Sequence, residues 1–397
     1  MSDLLIRNAR PMGGAPADIR IAGGRIAEIG PGLASRGEAD EDADGRLAVP
    51  GFVDAHTHLD KSLLGHPWWR NEVGPELLDK IDTERRVKRE LGLDPHVQSM
   101  RQALLSVSHG TTVIRSHVDV DTEQGLAAVE GVLRTRDVLR DVVEIELVAF
   151  PQSGLMRRPG TAELLDAAMA MGCDLVGGLD PCGIDRDPKG HLDVVFGLAE
   201  RHGRPVDIHL HEPGELGAFS LELILERTAA LGMQGKVAVS HAFCLGAPDW
   251  RRTQGLIDRL AALDVRILTT APASREVPAV ARLDAAGVKI GAGNDGFRDT
   301  WGPYGDGDML ERAMLLGLRN NFRRDDEVER ALEVCTTGGA EVMDIPGHRL
   351  EPGGRGDVVL LEGETPAEAV AMRAPRRLVV KGGRVTARDG AALRAAP

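Results

Sequence analysis

The stretch FVDAHTHLD, residues 52–60, sets His56 and His58 one residue apart at the end of an apolar run. On a strand, residues i and i+2 point to the same side, so the two imidazoles present their nitrogens to one point in space. That geometry suits a divalent metal ion, for which imidazole is a common ligand. An isolated H-x-H equally describes a pair of histidines that bind nothing. The metal reading therefore depends on where the other reactive residues of the chain fall.

The elements that must position them follow from an alternation of textures. Short apolar or β-branched runs (AVPGFVDAH, GTTVIRSHVDV, VVEIELVAF, CDLVGGLDP, PVDIHLHE, KVAVSHAF, VRILTTAP, VKIGAGND) are separated by amphipathic segments of helical length such as LDVVFGLAERHG and TQGLIDRLAALD. Eight strands alternating with helices predict an α/β fold of the (β/α)8, TIM-like type. An open doubly wound sheet is the competing arrangement, but the G-x-G-x-x-G spacing of GAGNDG at 291–296 is followed by the Gly- and Pro-containing stretch FRDTWGPYGDGD and not by a helical segment, which argues against a dinucleotide site. In a (β/α)8 barrel the reactive groups gather at the C-terminal ends of the strands. Those ends carry His56 and His58, His117 and Asp119, Gln152, Asp180, His209, His211 and Glu212, His241, and Asp295. Six of the twelve histidines thus fall where one site would be built. Three imidazoles and a carboxylate, from His56, His58, His209 and Asp295, would hold a metal and leave a position open for water. His117 and Asp119 read as orienting groups at the barrel mouth, and His211 as a neighbour of the His209 ligand.

Residues 1–48 and 347–397 share a different texture, short apolar runs joined by Gly turns, as in IAGGRIAEIG and VVKGGRV. They predict hairpins, and the two chain ends are expected to form one small β-sandwich-like domain beside a catalytic barrel at 49–346. AVAMRAP, near residue 370, is read with that β texture. A formal net charge of −13 without a basic cluster argues against nucleic acid or an anionic membrane as partner. No signal peptide or membrane-length apolar run is evident, and a cytoplasmic location is expected by default. Four scattered cysteines without C-x-x-C exclude a thiolate zinc cluster and suggest mostly buried free thiols.

Several motifs in one order, PGFVDAHTHLDKS, RSHVDVD, VAFPQSG, HLHE, VSHAFC and GNDGFRDTWGPYGDGDM, resemble the amidohydrolase superfamily, specifically its cytosine deaminase-like branch. The resemblance covers nearly the whole chain. It implies a mononuclear centre of His56, His58, His209 and Asp295 holding one divalent ion, zinc or ferrous iron. Strand four, CDLVGGLDP, lacks the carbamylated lysine that marks binuclear members. By the same resemblance, Asp295 accepts the proton of the attacking water, His241 stabilises developing negative charge, and Glu212 shuttles a proton to a ring nitrogen. Gln152 would read the amide-like edge of a heterocycle, and Phe150, Leu77 and Trp301 would pack on it.

The implied activity is hydrolytic deamination of an amino-substituted N-heterocycle, cytosine or a 5-substituted cytosine such as 5-methylcytosine. The alternative is an N-alkylammelide, an s-triazine, losing an alkylamine. Where bacterial cytosine deaminase has a second aspartate after the ligand, this chain has Gly296, and open space for a larger substituent is expected there. Rival readings are a cyclic-amide hydrolase, which the missing strand-four lysine disfavours, and a non-enzymatic scaffold, which retention of all the ligands disfavours. The partner is a small heterocycle, and the branch also implies a homo-oligomer. The insertion at 62–90 is expected to cover the pocket mouth with its helical part.

Overall fold

A computed structural model describes residues 3–397. Eight parallel strands, hydrogen-bonded in chain order, form the barrel: β1 (Phe52–Thr57), β2 (Thr111–Asp119), β3 (Glu144–Phe150), β4 (Leu175–Leu179), β5 (Val206–His209), β6 (Val237–Ser240), β7 (Arg266–Thr269) and β8 (Ile290–Ala292). All eight expected strands are present. They are buried along nearly their whole length, as strands sandwiched between a barrel interior and a ring of helices must be.

The helices form for the reasons their sequences suggest. In Trp250–Ala262 the buried Thr253, Leu256, Ile257 and Leu260 make one apolar stripe, and Asp249 caps the first turn by accepting from the amides of Arg251 and Arg252. Pro188–His202 likewise begins on an Asp187 cap with proline in the first turn.

The barrel closes weakly between β8 and β1. No ladder forms there beyond one bridge, Thr57 with Asp295. The seam is held by single bonds: the Asp295 amide donates to the His56 carbonyl (2.8 Å), Thr57 Oγ1 donates to the Asp295 carbonyl (2.8 Å), and Asp54 accepts from the amide and the side chain of Asn294 (3.0 and 2.8 Å). Gly293 makes this approach possible, because a Cβ there would fall 2.3 Å from the His56 carbonyl oxygen.

Strands from both chain ends share a second, nine-stranded sheet, joined where Leu47–Pro50 pairs antiparallel with Val358–Leu361. Both expected hairpins occur, Ala17–Ala22 with Arg25–Gly30 and Arg376–Lys381 with Arg384–Arg388. AVAMRAP is a correction. Pro366–Met372 is a helix, started by Thr365, whose hydroxyl accepts from the Glu368 amide, and by Pro366 in its first turn. The cysteines are free, and Cys173, Cys244 and Cys335 are buried. No helix among the described residues is long and apolar enough to cross a membrane.

Candidate active site

The strand ends converge as the spacing requires. One nitrogen from each of His56, His58 and His209 lies within 4.8 Å of the others, and so do ligand atoms of His56, His241 and Asp295. His58 Nε2 stands 3.3 Å from Asp295 Oδ1, and His56 Nε2 stands 3.8 Å from the same oxygen.

The hydrogen bonds behind the rings fix their tautomers. Ser240 spends its one hydroxyl proton on Asp207 (2.7 Å), so its oxygen accepts from His56 Nδ1 (2.9 Å) and the lone pair of His56 sits on Nε2. His58 Nδ1 donates to the His117 carbonyl (3.1 Å), which leaves its lone pair on Nε2 as well. Burial pushes the His56 imidazole down to about 3, and holds His209 and His241 well below the ordinary histidine range. These rings are therefore neutral at pH 7, the form that ligates metal.

Nε2 of His56, both ring nitrogens of His209 and Nε2 of His241 are buried without a hydrogen-bond partner. Buried lone pairs that face a carboxylate and have no donor are costly unless a cation lies among them. A divalent cation fits this donor set. A second trio, His56, His117 and Asp207, does not make a comparable site, because Asp207 already pairs with Arg115 (3.0 Å), whose guanidinium opposes a cation.

Three of the strand-end residues are backbone outliers. Asp180, His241 and Asp295 hold φ of +37°, +69° and +63°, a region that side-chain-bearing residues rarely adopt and that clusters at functional sites. These turns direct the chain away from the strand just where each reactive side chain is needed.

The other expected residues fall as follows. Gln152 is buried, and its carbonyl oxygen accepts from Lys61 Nζ at 2.5 Å, so its amide nitrogen is the end left to donate. Phe150 stacks on His209, centroids 4.0 Å apart and 24° between planes, and so braces that ring. Leu77 and Trp301 pack in one cluster with Phe150, Ile81, Leu179 and Ile184. Glu212 is engaged by three donors, the amides of Cys182 and Gly183 (2.9 and 2.6 Å), which tie it to the loop after β4, and the hydroxyl of Ser220 in the helix Gly214–Ala230. Burial raises its carboxyl pKa. Gly296 is a correction: the space beside it is filled by the carboxylate of Asp299, 2.0 Å from where a Cβ would stand. The chain resupplies from position 299 a carboxylate that position 296 lacks.

The structure adds groups to which the spacing gave no role. His211 Nδ1 meets Asp180 Oδ2 at 2.7 Å, and its ring lies 4.2 Å from that of His241. Burial works against charge on His211, and the Asp180 carboxylate more than offsets it, so the pKa stands above the ordinary histidine value. Lys61, three residues past His58, bonds Asp119 at 3.1 Å and lies about 6 Å from the rings of Phe150 and Trp301. The sequence signal for these was present only as polar residues near strand ends, with nothing to show which would pair.

Comparison with known proteins agrees with this geometry. Residues 41–387 match the model of the amidohydrolase family. The N-isopropylammelide isopropyl amidohydrolase of Pseudomonas sp. (strain ADP) is 32% identical, with 98% of each chain covered. A solved structure of N-isopropylammelide isopropylaminohydrolase from Burkholderia multivorans superposes with a TM-score of 0.95 at 53% identity, covering 99% of this chain and 100% of that one. The 5-methylcytosine deaminase from Klebsiella pneumoniae superposes at 0.85 and 27% identity, covering 98% and 99%. The chain therefore belongs to the amidohydrolase family, in its cytosine deaminase-like branch, and is a hydrolase acting on C–N bonds.

Proposed function

We propose that the protein hydrolyses the exocyclic C–N bond of an N-alkylamino, oxygen-substituted s-triazine of the N-isopropylammelide type, releasing an alkylamine. The likeness of the whole chain to the Burkholderia hydrolase carries this reading. Pocket chemistry supports it. Lys61 turns the carbonyl of Gln152 toward itself, which leaves the amide end as an N–H donor beside an aromatic wall, suited to an oxygen substituent on the ring.

His56, His58, His209 and Asp295 would hold one divalent ion, zinc or ferrous iron, which lowers the pKa of water into the neutral range and polarises the ring carbon. Asp295 takes a proton as water adds to the ring carbon. His241, adjacent to Asp295 at 4.0 Å, stabilises the oxygen that gains negative charge. His211, whose protonated form Asp180 favours, supplies a proton to the departing nitrogen as the C–N bond breaks. The products are a ring carbonyl and a free amine. Glu212 in this reading shapes the loop after β4, and proton delivery passes to the neighbouring His211.

A second reading, deamination of cytosine or 5-methylcytosine, is favoured by Glu212 itself, buried with a raised pKa three residues after His209. Mass spectrometry of products separates the two. Metal-loaded enzyme given N-isopropylammelide, cytosine and 5-methylcytosine is expected to release isopropylamine with kcat/KM at least about 100-fold above any ammonia release. Faster ammonia release from either pyrimidine overturns the triazine assignment.

A further inference from the structure

Helix Leu77–Leu91 of the insertion after β1 buries four residues, Ile81, Glu84, Val87 and Lys88. Two of the four are charged, and charges are buried only where partners compensate. Glu84 Oε2 accepts the indole N–H of Trp301 at 2.6 Å and lies 3.3 Å from Lys61 Nζ. Lys88 Nζ bonds the second oxygen of Asp119 at 2.7 Å, while Lys61 holds the first. Lys61 leaves the barrel just after His58, and Trp301 follows Asp295 by six residues. One carboxyl group thus ties together the loops that flank the ligand set on both sides of the barrel seam.

Helix adhesion alone does not call for this arrangement. Glu84 stands beside an apolar cluster of Ile81, Phe150, Leu179 and Ile184, to which Trp301 also belongs, and replacing a buried ion pair by apolar residues often leaves stability unchanged. A buried carboxyl instead fixes direction, through one hydrogen bond to an indole and one contact with an ammonium.

We propose that Glu84 is a positioning residue that sets Trp301 and Lys61 in the substrate pocket, which makes the insertion helix a specificity element of the site. The proposal rests on the reading of that pocket as the heterocycle site.

Kinetics of Glu84→Gln, Glu84→Leu, Trp301→Phe and the Leu/Phe double variant, with hydrogen exchange of the same proteins, tests it. Gln still accepts from the indole, so E84Q is expected within about threefold of wild-type kcat/KM. E84L is expected to raise KM tenfold or more with kcat nearly unchanged, and the double variant to lose less than the two single losses combined, because the indole contact is broken by either change while the Lys61 contact is lost only with Glu84. Exchange in E84L is expected to rise both in 77–91 and in the loop at 298–304. An unchanged KM in E84L, additive losses in the double variant, or exchange that rises only in the helix would each overturn the proposal. Should E84L not fold, Glu84→Asp, which withdraws the carboxylate by one methylene, is read by the same KM and exchange criteria. Should wild type turn over none of the heterocycles, the functional reading fails, and the exchange of the two segments alone decides the role of Glu84.

Discussion

His211 and Asp180 are the residues on which the proposed proton delivery turns. Asp180→Asn removes the charge that favours the protonated form of His211, and His211→Asn removes the acid itself. Each is expected to lower kcat about 100-fold, with metal content by elemental analysis unchanged. Gly296 offers a different test. A methyl group there meets the Asp299 carboxylate, which also accepts from the amides of Trp301 and Gly302, so Gly296→Ala is expected to cost about tenfold in kcat/KM by displacing that loop. Much of the geometry at this scale is legible in the sequence. The meeting of His56, His58, His209 and Asp295 can be read ahead because a two-residue spacing and strand-end placement are local properties of the chain. The His211–Asp180 pair and the filling of the Gly296 space are not legible there, since each depends on which rotamer and turn brings separate segments into contact.

At the scale of elements, the eight strands are readable from apolar runs and turn signals, down to β8 with only three residues in regular pairing. The helix at Pro366–Met372 reads as β because AVAMRAP is short and apolar, and periodicity cannot tell strand from helix at that length. Its start signal, Thr-Pro with Glu at the third helical position, is the better guide. What no local pattern conveys is how the sheet closes. The seam between β8 and β1 depends on Gly293 lying against the backbone of His56. Gly293→Ala must push the two strands apart and is expected to destabilise the protein by about 1–3 kcal/mol, read by chemical denaturation.

For the whole molecule, the shared sheet makes the chain ends part of the structure. Leu47, Val49, Val359, Leu361 and Val379 belong to the same apolar cluster as the barrel strands and their helices. Arg376 reaches the His109 carbonyl (2.9 Å) and Asp308, and His348 bonds the Gly51 carbonyl (2.7 Å). Removing residues 358–397 would expose this core, and the truncated chain is expected to be insoluble or to lack a cooperative melting transition. The meeting of the ends is suggested by two matching hairpin textures, while their junction through Leu47–Pro50 rests on tertiary pairing. The weak seam carries one more consequence. A barrel is a hoop, and here one of the few bonds that fasten the hoop runs between His56 and Asp295, two members of the proposed ligand set. A cation bound there is a clasp as well as a reagent. Chelation is therefore expected to lower the melting temperature by several degrees and to raise hydrogen exchange in β1 and β8 above that of the other strands. Protein stripped of its ion would be prone to inactivate by opening along that line, so that restoring the metal late would not restore the enzyme.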